Sequence, residues 1–224
     1  MLLGIISDVH ANLPALHAVI DDAPSLDMII HAGDVVGYNP YPSRVIAQFQ
    51  KLQIDSIQGN HDTAVLNGPP NTFSDDAAAA IYWTTEKLNE QDRSYLRALP
   101  REHSFTVDET EITVVHGFID STNEYVYPTE ITMDHFERVD NSTDILIYGH
   151  THYPLITRVN GTTLLNPGSV GQPRDGDWRP SYAVLDTETA TVCLHRCRYN
   201  VEKVINLITD SNLPTTIATK LRSD

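Results

Sequence analysis

A mixed α/β (α+β) fold is predicted by three features of the chain. A β-loop-α pattern opens it, strands dominate its second half, and polar residues gather where apolar strands end. Residues 2–7 (LLGIIS) read as a buried strand that runs straight into Asp8 and His10. Pro14 then marks a first helical turn, and Leu16, Val19 and Ile20 follow with helical spacing. Residues 27–32 (DMIIHA) predict a second strand, followed by the Gly/Asn/Pro-rich loop GDVVGYNPYP and a helix over about 43–52. A third strand, IDSIQ, ends in GNHD. All three loops follow strands, so all three open on the carboxyl edge of a parallel sheet, where ligands bind in such folds.

Residues 74–99 predict two helices carrying Tyr82, Trp83, Leu88, Tyr95 and Leu96 on apolar positions. Strands then follow as SFTVDE, EITVVHG, DILIYGHTH, PLITRVNG, TTLLNPGS, SYAVLD and TATVCLHRCRY, with a helix near 129–139 between them. The Asn160-Gly161 pair signals a tight hairpin, and a helix over 201–210 closes the fold. With 224 residues, no internal repeat and no long linker, the chain is expected to form one domain over 1–224.

Composition narrows the function. Thirty acids face fifteen bases, only four of them lysine, for a net charge of −15. Such a surface repels polyanions, so stable nucleic-acid binding is not expected. Lysine poverty and acid excess also fit the surface of a halophilic protein, with an acidic mesophilic enzyme as the plainer reading. The opening run MLLGIISDVH is short for a signal peptide and has no basic region before it, and no stretch reaches the ~20 apolar residues of a membrane span. Two cysteines, Cys193 and Cys197, are too few for a disulfide framework. A cytoplasmic protein without membrane contact is expected, with homo-oligomer formation left open.

The strand-to-loop junctions deliver Asp8 and His10, Asp34, Asn60 and His61, His116, and His150 and His152. Singly, each of these is more readily a cap, a turn former or a satisfied core histidine. Together they bring carboxylate, amide and imidazole donors to a common rim. Mixed O and N donors suit Mn, Fe, Co, Ni or Zn, and the number of donors exceeds what one tetrahedral ion takes. Two ions could clamp an in-line phosphoryl displacement and acidify an attacking water. His150 and His152, two apart, are expected to share a side through extended backbone, with Thr151 pointing away.

The blocks SDVHAN, GDVVGY, GNHD, VVHG and GHTH, in that order and each after a strand, closely resemble the signature of the calcineurin-like metallophosphoesterase superfamily. The resemblance implies a four-layer β-sandwich flanked by helices, acting as a metal-dependent hydrolase of phosphoesters. It implies a first metal on Asp8, His10, Asp34 and His152, and a second on Asp34, Asn60, His116 and His150, with Asp34 bridging. Two divalent ions are implied, with Mn favoured and Fe, Co, Ni or Zn as alternatives. His61 would donate a proton to the departing oxygen or stabilise charge on the phosphate; a spare ligand or a structural residue is its alternative.

Protein phosphatases of the superfamily carry Gly-Asp-x-Val-Asp-Arg-Gly, whereas this chain has Gly33-Asp34-Val35-Val36-Gly37-Tyr38. The chain is more similar to the small bacterial and archaeal phosphodiesterases, whose tail often includes the Asn-Pro-Gly-Ser seen at 166–169. A small nucleotide-like or aryl phosphodiester is the implied substrate. Dinucleoside polyphosphate hydrolysis, phosphomonoester hydrolysis and a non-enzymatic protein-interaction scaffold are the alternatives. Asn12 could touch substrate phosphate or simply cap the first helix. Arg174 could contact phosphate or form a surface ion pair. Tyr38, Asn39 and Tyr41 could stack on a base or aryl group. His17, His31, His103, His135 and His195 lack neighbouring donors in the sequence and read as structural or surface residues.

Overall fold

The computed structural model describes residues 1–119 and 121–222. In its first half the elements are β1 (Leu2–Ile6), α1 (Leu13–Asp22), β2 (Met28–His31), α2 (Pro42–Leu52), β3 (Asp55–Ser56) and α3 (Asn60–Asn67). Then come α4 (Asp75–Lys87), α5 (Glu90–Ala98), β4 (Glu102–Val107) and β5 (Thr110–Val115). A 3-10 turn at Pro128–Glu130 precedes α6 (Met133–Glu137) and β6 (Ile145–Ile147). The chain continues with β7 (Leu155–Val159), β8 (Thr162–Asn166), β9 (Ser181–Asp186), β10 (Thr191–Arg196), α7 (Val201–Asp210) and α8 (Thr215–Lys220).

Two five-stranded sheets form, ordered β10-β9-β1-β2-β3 and β4-β5-β6-β8-β7. Each has a parallel core of three strands, β1-β2-β3 in one and β5-β6-β8 in the other. Antiparallel strands complete both. Period-2 alternation points Leu3, Ile5, Ile30 and Ile57 of the first sheet inward against Ile112, Val114, Ile147 and Leu165 of the second. Ile5, Ile147 and Leu165 are fully buried, each such side chain contributing roughly 1.5–3 kcal/mol. On the outer face of the first sheet, Ile6 and Val9 pack with Leu16, Val19, Val45 and Phe49 of α1 and α2. The second sheet turns Leu146, Tyr148 and Leu164 against Val126, Val139 and Phe136. The result is two packed sheets with helices on both sides. That is the layered sandwich expected, and the carboxyl ends of both parallel cores meet at one edge.

Some boundaries differ from the sequence reading. The expected strand over 144–152 is only three residues long, because the chain leaves the ladder before Gly149. The helix expected near 129–139 is a 3-10 turn followed by a short α6. Asn60 and His61, read as loop, form the first turn of α3. Ile217 and Ala218 of α8, with Leu221 just after it, pack on α7 and α4 through Val204, Ile208, Ala77 and Ala80. Tyr82 is an exposed residue of α4 rather than core, while Trp83 is half-buried and its Nε1 donates to Ser211 O.

Candidate metal centre

The loops after β1, β2 and β3 converge with those after β5 and β6. Asp8 N donates to Gly33 O at 3.0 Å, and His10 N to Asp34 O at 2.9 Å, so the first two loops run side by side. Asp62, at the start of α3, ties the third loop to the second. Its carboxylate accepts from the backbone N–H groups of Asp34, Val35, Val36 and Gly59 at 3.0–3.2 Å. Two glycines permit the close approach. A Cβ on Gly59 would lie 2.1 Å from Asp34 Oδ1, and one on Gly149 would lie 2.0 Å from Ser7 Oγ.

Asp8, His10, Asp34, His150 and His152 all occupy left-handed backbone, with φ between 45° and 66°. This region costs a non-glycine residue of order 1–3 kcal/mol and is tolerated where surrounding contacts over-determine it. The sequence-based expectation of extended backbone at His150 and His152 is thereby corrected. Two left-handed residues, not strand alternation, aim both rings at the same place. Thr151 turns away as expected, its Oγ1 accepting from Asn166 Nδ2 at 3.1 Å.

Asp8 Oδ1 lies 3.3 Å from His152 Nε2 and 3.8 Å from His10 Nε2. Asp34 Oδ2 lies 3.5 Å from His10 Nε2 and 3.3 Å from His116 Nε2, so one oxygen stands between two donor groups. Asn60 Oδ1 is 3.0 Å from His116 Nε2. The ring of His150 lies 5.1 Å from that of His116, centroid to centroid. Asp8, His10 and His152 can share one ion, and so can Asp8, Asp34 and His116. His10, Asp34 and His61 form a third such group, which keeps open the alternative of His61 as a ligand.

Several atoms suit a cation and little else. His10 Nε2 and His152 Nε2 face each other at 3.1 Å. Asp8 Oδ1 and His150 Nε2 are buried without a hydrogen-bond partner, a costly state that a bound ion removes. His116 Nδ1, His10 Nδ1 and His152 Nδ1 lie against the carbonyl oxygens of Ala32 (2.8 Å), Val36 (3.3 Å) and Gln172. Donation from each Nδ1 would leave the Nε2 lone pair aimed into the site, the usual support of a metal-binding imidazole.

Burial holds most of these imidazoles neutral, His61 down to about 4 and His150 to about 3. His10 and His152 are lowered chiefly by the same cause. His116 is the exception. Burial would lower it, but the Asp34 carboxylate beside it carries it up to about 9. Burial opposes ionisation of Asp8 and Asp34 too, yet neighbouring imidazoles, His152 and His116 respectively, bring both below the usual carboxylate range.

A cleft of about 530 Å³ opens over the centre, lined by Asn60, His61, Tyr38, Phe73, Tyr125, Gln172 and Arg174 among others. The His61 ring is packed against those of Tyr38, Phe73 and His10 at centroid distances of 4.7–4.9 Å. Arg174 donates to Tyr38 Oη at 3.3 Å and Gln172 Oε1 at 3.1 Å. The expected alternative for Arg174, a surface ion pair, finds no carboxylate within 4 Å among the described residues.

Asn12 does not face the cleft. It is fully buried, its Oδ1 caps α1 by accepting from Ala15 N at 3.2 Å, and its Nδ2 donates to Gly171 O and Tyr199 Oη. A contact with substrate phosphate is corrected accordingly: its polar atoms are already engaged. Asn39 is likewise buried and donates to Gly171 O, and Tyr41 precedes α2 with Arg44 over its ring. Of the three aromatic or amide candidates in that loop, only Tyr38 lines the cleft. His31 is a core residue bonded to Ser56 Oγ at 2.8 Å. His103 pairs with Asp55, His135 bonds Thr132 and His195 stacks on Tyr182. Sequence reasoning missed Asp62, Phe73, Tyr125 and Gln172. The spacing of Gly59 to Asp62 was the only local signal, as an acid at the third helical residue that reaches back to the helix start.

The chain matches the calcineurin-like phosphoesterase superfamily domain over residues 1–190 and belongs to that family. It is 40% identical to phosphodiesterase YfcE of Escherichia coli, over 86% of this chain and 91% of the relative. It is 30% identical to the Methanocaldococcus jannaschii protein MJ0912, over 98% and 97% of the two chains. Among solved structures, a metallophosphoesterase from Sphaerobacter thermophilus superposes with a TM-score of 0.86 at 34% identity, covering 100% of this chain and 98% of that one.

Proposed function

We propose that this protein is a metal-dependent phosphodiesterase holding two divalent ions. Asp8, His10, Asp34 and His152 would hold the first, and Asp34, Asn60, His116 and His150 the second. The observation that carries the reading is the position of Asp34 Oδ2, within 3.5 Å of imidazole nitrogens from both groups. The donor set of imidazole, carboxylate and amide suits Mn, with Fe, Co, Ni and Zn chemically adequate. When bound, such a pair supplies Lewis acidity toward phosphoryl oxygen and lowers the pKa of water. The protein's own residues do the rest. The Nδ1 contacts of His10, His116 and His152 set the ring orientations. In this reading His61, lining the cleft, would protonate the leaving oxygen or, as the neutral imidazole that burial favours, donate a hydrogen bond to the charge that builds on phosphate.

A diester is favoured over a monoester or a dinucleoside polyphosphate by the charges around the cleft. Among the described residues Arg174 has only neutral hydrogen-bond partners, whereas Lys220, at the rim, pairs with Asp76 at 3.2 Å. One such guanidinium matches the single charge of a diester. The name of the E. coli relative, a phosphodiesterase, points the same way. An interaction scaffold is disfavoured because His61 and the seven donors are all present and clustered. The free cysteines, one exposed and one buried, suit a reducing cytoplasm, and the acid excess suits a salt-rich one.

Metal analysis together with turnover of bis-p-nitrophenyl phosphate tests this. About two ions per chain and metal-dependent hydrolysis are expected. Metal-loaded protein inert toward diesters, monoesters and dinucleotides alike would leave the scaffold reading. His61→Ala should keep its metals and lose on the order of 100-fold in kcat; unchanged kcat would remove the assigned role.

A further inference from the structure

One buried donor in the cleft serves neither the fold nor the proposed metal centre. Gln172 lines the cleft and is 1% exposed. Its Oε1 accepts from Arg174 at 3.1 Å. A guanidinium offers donors and no acceptor, so this contact fixes which end of the amide is oxygen and turns the NH2 group elsewhere. Nε2 then has no hydrogen-bond partner among the described residues, a costly state for a buried amide. Several other polar groups of the lining are engaged. Ser74 Oγ caps α4, Lys220 pairs with Asp76, and Asn60 Oδ1 stands beside His116 Nε2.

The main chain holds this side chain in a fixed relation to the centre. Gly171 N donates to Asp8 O at 2.9 Å, and Gln172 N to Ser169 Oγ at 2.8 Å. Gln172 O lies against His152 Nδ1, so the same residue supports a proposed metal ligand through its carbonyl. A Cβ at Gly171 would lie 2.0 Å from Val9 O, which makes glycine necessary where the tail meets the first loop. Arg174, 5.8 Å from the Tyr38 ring centroid and bonded to Tyr38 Oη, braces the amide from its oxygen end.

We propose that Gln172 Nε2 donates a hydrogen bond to a phosphoryl oxygen of the bound substrate, beside Arg174. The proposal rests on the phosphoesterase reading above and adds a residue that touches the reacting group. A donor fixed in advance strengthens its hydrogen bond as negative charge builds on that oxygen, so its effect falls mainly on kcat.

Two substitutions separate the donor from the brace. Gln172→Leu removes both ends of the amide, whereas Gln172→Glu keeps an acceptor for Arg174 and removes the donor. Measured per metal-loaded site on bis-p-nitrophenyl phosphate, each should lower kcat about 10- to 100-fold and change KM little. A residue that merely held Arg174 would behave otherwise. Gln172→Glu would then keep the parent kcat, and Gln172→Leu would cost nothing in an Arg174→Ala background. The proposed donor instead predicts that Gln172→Leu still costs about fivefold or more in that background. In parallel, calorimetry with inorganic phosphate on metal-loaded protein should find binding by Gln172→Leu about tenfold weaker, with Arg174 present or replaced. A parent protein without turnover that still shows this tenfold difference would sink the hydrolase reading and keep the phosphate contact. Parental kcat in Gln172→Glu, no cost of Gln172→Leu once Arg174 is replaced, or equal phosphate affinity in parent and Gln172→Leu would each overturn the proposal.

Discussion

Asp62 shows how a single buried carboxylate can organise a site without belonging to it. Four backbone N–H groups from two loops point at it. Burial, with Asp34 nearby, pushes this carboxyl up to about 7, while the same N–H donors oppose that rise and favour the charged form. Asp62→Asn places an NH2 group against at least one of those donors. A loss of about 3 kcal/mol in urea unfolding is expected, with weaker metal retention. A loss under ~1 kcal/mol would show that the donors find other partners.

Between elements, the loop after β8 braces the loop after β6. Asn166 Nδ2 donates to Gly149 O at 2.9 Å and to Thr151 Oγ1, holding the two left-handed histidines from behind. Ser169 Oγ donates to Asp8 O at 2.8 Å and accepts from Gln172 N, joining the same tail to the first loop. The Asn-Pro-Gly-Ser run is therefore support for the ligand loops. Asn166→Ala should weaken metal affinity about 10- to 100-fold, as loss of outer contacts does elsewhere, while circular dichroism stays unchanged. Affinity within twofold of the parent would refute the bracing role. At the same scale, Asn12→Ala removes the α1 cap and the contact with Tyr199 Oη, and leaves Asn39 Nδ2 to donate alone to Gly171 O. A loss of about 2 kcal/mol is expected in thermal or urea unfolding.

At the level of the whole molecule, the proposed centre predicts that folding and metal binding are coupled. The seven proposed donors, drawn from Asp8 to His152, come together only in the native state, so ions bound there would stabilise it by mass action. Removing metal with a chelator should lower the melting temperature by about 5–10 °C, on the basis of ~2.7 kcal/mol at a hundredfold excess over Kd and 2–4 °C per kcal/mol. An unchanged melting temperature after confirmed metal loss would contradict the coupling. The net charge of −15 adds self-repulsion that salt screens. Melting temperature should rise between 0.1 and 2 M KCl, and a fall would remove the halophilic reading.

The sequence by itself determined the order of strands and loops, the donors at each strand end and the family. Those features are local: an apolar run followed by Asp-x-His or Gly-His-x-His reads the same wherever the chain folds. It also carried the identity of Arg174 and Tyr38 as residues near the centre. Tertiary structure alone decided which candidates reach the cleft, turning Asn12 and Asn39 to the support of loops and bringing Phe73 and Tyr125 to face the site. It decided, too, that His150 and His152 converge through left-handed backbone. The reason is physical. Left-handed φ at five non-glycine residues is unfavourable residue by residue, and is held by contacts between distant loops, such as His150 N to Asp8 Oδ2 across 142 positions and Ser169 Oγ to Asp8 O across 161.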